Sequence, residues 1–344
     1  MGLVSALVVL FEGRKLMLGY SGEYDGNAVC EVGDIGCFLS IYAQCAAFFY
    51  LMAWILNVDG PSFIQHNGDI YISQEFYMWP SVTQAAKNAL DIRFVPLSPP
   101  HLSPPHYFPP PRYRLLDYIY TAFHHAHMDG SPVVLPLWFK YPKDPNTYGI
   151  DHQFFFGDSI LVSPVTQDEA MSVSIYLPKD TFYDFKTLAP VQGQGAYVLL
   201  DDVPFTEIPL HIRGGVVLPL RANSAMTTTE VRKQDFELVV APGGDGKATG
   251  KLYVDDGESV SPSSKTEVWM RFGDSPGRLD IGGMFGYELG VEVKGVKFLG
   301  VLSKPGKVLI DGEVVGGWKW DGGSKVLDVS VGRAFDCGFV VQHS

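Results

Sequence analysis

Apolar side chains recur at helical spacing within residues 73–93, where Val82, Ala85, Ala86, Ala89 and Leu90 share one face and Ser81 stands at the position of an N-cap. The same period resumes at Tyr113 and predicts a helix to about Ala126. From Ser131 onward the pattern changes to short apolar runs bounded by Pro, Gly or Asp. These predict strands at Val173–Leu177, Tyr197–Leu200 and Glu207–Ile212. After about Arg221, further runs predict strands at Phe236–Val240, Leu252–Val254, Val268–Phe272, Leu289–Val301, Val308–Ile310 and Val326–Val331. The PGGDG segment and Asp256-Gly257 read as turns between them, and this second set reads as an all-β domain of the sandwich type.

Residues 94–112 break the helical pattern. They hold eight prolines in 19 residues, and each proline removes a donor and clashes with the preceding helical turn. Removing them leaves ALDIRYRLLDYIYTAF, in which the helical period is continuous. The segment therefore reads as an insert. Its pyrimidine-rich codons favour a retained intron, with a proline-rich spacer or ligand as the alternative.

Gly36–Leu56 carries no charged side chain over 21 residues, enough to span a bilayer as a helix. Ser40, Gln44, Tyr42 and Tyr50 lower its apolar character, so a buried helix, or sequence foreign to the fold, is the favoured reading over a membrane span. Met1–Leu10 is apolar but lacks a basic n-region and a small-residue cleavage site, so it gives no clear signal peptide.

Charge narrows the partners. With 38 acidic against 26 basic residues the net charge is -12, which repels phosphate backbones and argues against nucleic-acid binding. Cys30, Cys37, Cys45 and Cys337 form neither a disulfide framework nor paired metal spacing, and the chain has no N-x-[ST] acceptor.

Residues 113–165, YRLLDYIYTAFHHAHMDGSPVVLPLWFKYPKDPNTYGIDHQFFFGDSILVSPV, resemble the glycoside hydrolase family 31 α-glucosidases of the maltase type. The similarity extends through IYLPKDTFYDF, VPFTEIPLHIRGGVVLPLR and KLYVDDGES, and covers about Ser73 to Ser259 with one interruption. It implies an α+β chain: the damaged, truncated end of a (β/α)8 barrel over residues 1–130, then two all-β, sandwich-like domains over 131–221 and 222–344. Residues 1–64 match the family poorly. A complete barrel takes about 250 residues, and far fewer precede the β-rich half.

The resemblance implies retaining hydrolysis of terminal α-linked glucose in maltose- or starch-derived carbohydrate, without a metal or organic cofactor, and an extracellular location. Retention needs two carboxyl groups about 5 Å apart. The family's nucleophile and acid/base motifs, of the W-x-D-M-N-E and W-x-G-D-N kind, have no counterpart here, so no catalytic residue is assigned and the chain alone is expected to be inactive. Two substrate-binding candidates follow from the resemblance. Asp34 lies in VGDIGCF, similar to an active-site turn, and His66 matches a sugar-binding histidine, although Gln65 replaces the arginine expected before Asn-His-Asn.

Other groups invite chemical readings. His124, His125 and His127 share part of a helix but have no acidic or cysteine ligand beside them, which favours a structural or solvent-facing role over a metal site. Asp255-Asp256-Gly257-Glu258 lacks the alternating spacing of a calcium loop and reads as a turn. Ser159 and Ser163 have no nucleophile elbow around them, and the glycines at 193–195 and 243–246 follow no phosphate-loop pattern. Phe154, Phe155, Phe156, Ile160, Leu161 and Val162 are expected at the seam between the barrel end and the first β-domain, with residues 131–344 tolerating loss of everything before them better than the barrel remnant tolerates loss of them. The alternative function is a non-catalytic, carbohydrate-associated β-domain protein or a truncated gene product. A membrane-anchored protein using Gly36–Leu56 is the third reading.

Overall fold

The computed structural model describes the backbone of residues 9–12, 15–18 and 29–31, and the whole of residues 114–166, 170–203, 207–223, 225, 227–259 and 261–344. The expected helix at 81–93, the proline-rich insert and the apolar run Gly36–Leu56 lie outside these. Among the described residues no helix is long and apolar enough to cross a membrane.

Three short strands, β1 (Val9–Glu12), β2 (Lys15–Leu18) and β3 (Val29–Glu31), form an antiparallel sheet. The helix α1 then runs Leu116–Asp129. It passes the expected end at Ala126 because Gly130 is the residue that turns left-handed, at φ 77°, and its N–H closes on the Ala126 carbonyl at 3.0 Å. A glycine takes that conformation without the Cβ penalty of other residues.

Behind α1 the chain is mostly β. The strands β4 (Val134–Pro136), β5 (Phe154–Phe156), β6 (Ile160–Val162), β7 (Ser172–Leu177), β8 (Thr181–Asp184), β9 (Pro190–Gln192), β10 (Ala196–Asp201) and β11 (Leu210–Arg213) follow. A short helix, α2 (Leu137–Lys140), lies between β4 and β5. Six of these strands pair in the order β4-β5-β6-β11-β8-β9, and β7 pairs separately with β10.

Alternation along the six-stranded sheet gives it two apolar faces. Ile160, Val162, Tyr183, Leu210 and Ile212 pack with Leu115 and Tyr118 at the start of α1, while Phe155, Leu161 and Phe182 pack with Leu137, Ile175 and Leu177 on the opposite side. The run Phe154 to Val162 is thus split between two cores. Only Phe154, Phe156, Ile160 and Val162 meet the helix side, because successive strand residues point to opposite faces.

The rest of the chain forms β12 (Val216–Arg221), β13 (Phe236–Ala241), β14 (Ala248–Val254), β15 (Thr266–Phe272), β16 (Arg278–Phe285), β17 (Glu292–Phe298), β18 (Val308–Ile310), β19 (Glu313–Val315), β20 (Trp318–Asp321), β21 (Val326–Ala334) and β22 (Phe339–His343). They make one eleven-stranded sheet, ordered β19-β18-β22-β16-β15-β14-β12-β13-β17-β21-β20. Strands far apart in that order supply one core: Leu252, Met270 and Ile281 from one half meet Phe298, Leu327 and Val329 from the other. The ladder therefore folds back on itself around a single apolar filling, each fully buried Leu, Val or Phe contributing about 1.5–3 kcal/mol.

The strand β12 has no clear signature in the sequence, because Pro219 and Arg221 interrupt its apolar run. It pairs with β13 along its whole length but with β14 only at Val216–Thr249, so proline stands where the second ladder has already ended. Beyond that point the residues leading into α1 take over: the Arg221 N–H donates to the Arg114 carbonyl at 3.1 Å.

Candidate functional site

Asp34 and His66 lie outside the described residues. Polar side chains nevertheless converge elsewhere, where α1 crosses the ends of β12 and β14. On the inner side of the helix, Asp117 and Arg221 form a buried two-pronged ion pair, with Arg221 Nε and Nη2 donating to the two carboxylate oxygens at 2.7 and 2.8 Å. Arg221 also donates from Nη1 to the carbonyls of Arg232 and Gln234, at 3.1 and 2.7 Å, and lies over the Phe236 ring at 3.9 Å. The planar fork of arginine suits this arrangement, since each nitrogen finds a fixed acceptor.

Arg114 joins the same group. Its Nε donates to the Arg221 carbonyl at 2.6 Å and its guanidinium pairs with Glu237, whose other oxygen meets Lys297 Nζ at 2.6 Å. Burial opposes ionisation of Glu237, but Lys297 and Arg114 outweigh it and hold that carboxyl below its ordinary range.

One helical turn on, Thr121 accepts the Tyr253 N–H at 3.0 Å and donates to the Asp117 carbonyl at 2.7 Å. Tyr120 donates to both oxygens of Asp255, at 2.8 and 3.0 Å, and the Asp255 carboxylate also takes the Gly257 N–H at 2.8 Å. His124 stacks on Tyr253 with ring centroids 3.6 Å apart. Burial, then the neighbouring Asp255, push the Tyr253 hydroxyl up to about 12 and that of Tyr120 higher still. Both phenols stay protonated at neutral pH and act as donors.

The segment Asp255–Ser259 is a turn built on these carboxylates, with Gly257 at φ 73° and the Asp256 side chain taking the N–H groups of Glu258 and Ser259. Hydrogen bonds from Ser259 and Glu258 bring the exposed Asp256 carboxyl down to about 2. Of the three histidines, His124 faces Tyr253 and His127 is exposed. The described residues hold no cluster of His, Cys, Asp and Glu arranged for a metal. Ser163 accepts a hydrogen bond from Gln153 at 2.9 Å, and the Ser159 N–H donates to Tyr118 at 2.9 Å, so both belong to the packing of β5 and β6.

The network was invisible to the sequence reading. Asp117, Tyr118, Thr121 and His124 fall on one side of α1, yet their partners outside the helix lie 38 to 132 residues away. Chemically the arrangement clamps: its carboxylates are spent on guanidinium, ammonium, hydroxyl and backbone N–H groups. Its product is a fixed helix.

Residues 130–218 match the glycosyl hydrolase family 31 C-terminal domain. A probable alpha/beta-glucosidase of Aspergillus fumigatus is 47% identical over 238 residues, covering 69% of this chain and 25% of that protein. The alpha-glucosidase of Hordeum vulgare is 37% identical over 210 residues, covering 60% and 21%. The crystal structure of the glucosidase II alpha subunit in its alpha3-Glc2-bound form superposes with a TM-score of 0.63 at 25% identity, over 79% of this chain and 30% of that one. The chain spans about a quarter of the length of the curated relatives it matches.

Proposed function

We propose, from the chain's membership in glycosyl hydrolase family 31, that it is the C-terminal portion of an α-glucosidase-type hydrolase that removes terminal α-linked glucose with retention. The observation that carries this reading is the 47% identity over 238 residues to a probable alpha/beta-glucosidase. In this reading α1 is the last helix of the catalytic barrel, and the sheets behind it are two β-domains over 131–221 and 222–344. The last six residues of the first range, β12, pair within the eleven-stranded sheet, so that sheet draws on both ranges. The clamp then has a mechanistic purpose. A retaining site needs its two carboxyl groups about 5 Å apart, and a barrel holds such spacing only if its closing helix is fixed. Asp34 and His66 would line the sugar cleft.

The chain alone should not turn over nitrophenyl α-glucoside above a heat-killed control, since loss of both catalytic carboxyl groups removes most of the rate enhancement. Joined to a family 31 barrel segment carrying both motifs, it should release glucose from maltose. A folded joined protein without α-glucoside hydrolysis overturns the reading.

A further inference from the structure

The outer face of β14, β15 and β16 carries a feature that the clamp does not use. Side chains alternate along β15, so Val268, Met270 and Phe272 enter the core while Trp269 and Arg271 point outward. Trp269 is 41% exposed although it stands mid-strand in the middle of three paired strands. Its indole is held down flat. The residue opposite on β16 is Gly282, and a Cβ there would lie only 2.3 and 2.7 Å from indole Cζ2 and Cη2. Any larger residue would lift the ring off the sheet.

The surroundings are polar and of mixed sign. Lys251 pairs with Trp269 from the β14 side, and Asp280 stands opposite Arg271 on β16, its carboxylate tied to Arg278 at 2.7 Å. Glu267 lies on the same face one alternation along, tied to Lys265 at 2.6 Å. The Arg271 guanidinium sits over the indole, 4.8 Å from the ring centroid. Exposed Met284 continues the apolar strip along β16. Helix α1 covers the neighbouring row through the His124–Tyr253 stack, and Trp269 stays partly exposed beside the guanidinium.

We propose that Trp269, seated on Gly282 and ringed by Lys251, Arg271, Asp280 and Glu267, is a carbohydrate-binding platform for a neutral α-linked glucan chain, separate from any catalytic cleft. A flat aromatic face takes up the C–H face of a pyranose. Donors and acceptors of both signs at its rim match hydroxyl groups, whereas a single-sign ring would select an ion. The guanidinium over the indole makes only an exposed cation–π contact. A sugar ring that replaces it leaves the guanidinium free to donate to hydroxyl oxygens. The choice of α-linkage rests on the α-glucosidase reading; the platform itself does not.

Titration of the full chain with maltoheptaose, cellohexaose and heparin, followed by calorimetry, tests this. Maltoheptaose should bind with millimolar affinity, and Trp269→Ala should weaken it at least about tenfold with an unchanged melting temperature, while Trp269→Phe retains part of the binding. Binding of cellohexaose alone, lost in Trp269→Ala, keeps the platform and overturns the α-glucan assignment. Absence of binding to either glucan, binding of heparin alone, or glucan binding indifferent to Trp269→Ala overturns the platform, whatever the enzyme assay shows.

Discussion

Asp117 grips Arg221 with both carboxylate oxygens across 104 residues of sequence, at 2.7 and 2.8 Å, and both side chains are almost wholly buried. This pair fastens the first turn of α1 to the end of β12. Cutting one partner strands the other charge in an apolar setting, which typically costs about 3–5 kcal/mol, whereas replacing both by apolar groups is often tolerated. Asp117→Ala should therefore lower the urea midpoint far more than Asp117→Leu combined with Arg221→Met. Equal losses in the two proteins would show that the pair contributes specific attraction beyond compensating its own burial.

Tyr118 supplies the second attachment. Its hydroxyl donates to the Phe156 carbonyl at 3.0 Å and accepts the Ser159 N–H at 2.9 Å, bridging both ends of the β5–β6 turn. Tyr118→Phe takes the acceptor from the buried Ser159 N–H, and about 1–3 kcal/mol is expected for a buried donor so orphaned. Gly157 sits beneath that ring at φ 64°, where an added Cβ would fall 2.4 Å from the hydroxyl oxygen. Gly157→Ala should thus be at least as damaging as Tyr118→Phe, and thermal unfolding of the two variants side by side checks the order.

Acid should loosen the same region before the carboxylates titrate. His124, His211 and His343 all have pKa values lowered from the ordinary imidazole value, chiefly by burial. His211 is 2% exposed, and its Nδ1 is without a partner among the described residues. A folded-state value below the unfolded value of about 6.5 means that the unfolded chain binds more protons between the two, so stability rises with pH there. Stability should accordingly be full above about pH 7, fall as pH drops through 6.5, and level off below the folded values. Urea midpoints between pH 7.5 and 5.5 give the slope, which His211→Gln should flatten.

Strands were legible where nothing disturbs their alternation. Val308–Ile310 has the expected limits, and Val173–Leu177 and Phe236–Val240 each gain one residue. Arg278–Phe285 was not, because Gly282 and Gly283 dilute its pattern, and Gly282 is what lets Trp269 lie flat. The clamp was illegible for a different reason. A buried ion pair needs its two members close in space only, and nothing near Asp117 in sequence announces Arg221. Family similarity located α1 and the turns, whereas the contacts that tie them together emerge only from the folded chain.

Because α1 is stitched to β12 by Asp117, to β14 and the turn after it by Thr121 and Tyr120, and to the β5–β6 turn by Tyr118, the protease-resistant core should begin ahead of Arg114. The sequence pattern alone puts that start near the end of the helix. Releasing α1 would orphan the Arg221 guanidinium and the Tyr253 N–H, and would uncover Leu218, Leu220 and Ile160, which share a core with Leu115 and Tyr118. Exposing those groups costs several kcal/mol in sum, a large part of a typical domain's stability. Residues 94–112 hold eight prolines, a composition that disfavours helix. Limited digestion followed by N-terminal sequencing should therefore give a lasting fragment that starts between about Phe94 and Arg114 and keeps α1 whole. A lasting fragment that starts at Ser131 would mean that the sheets hold without the helix, and that the clamp serves the helix alone.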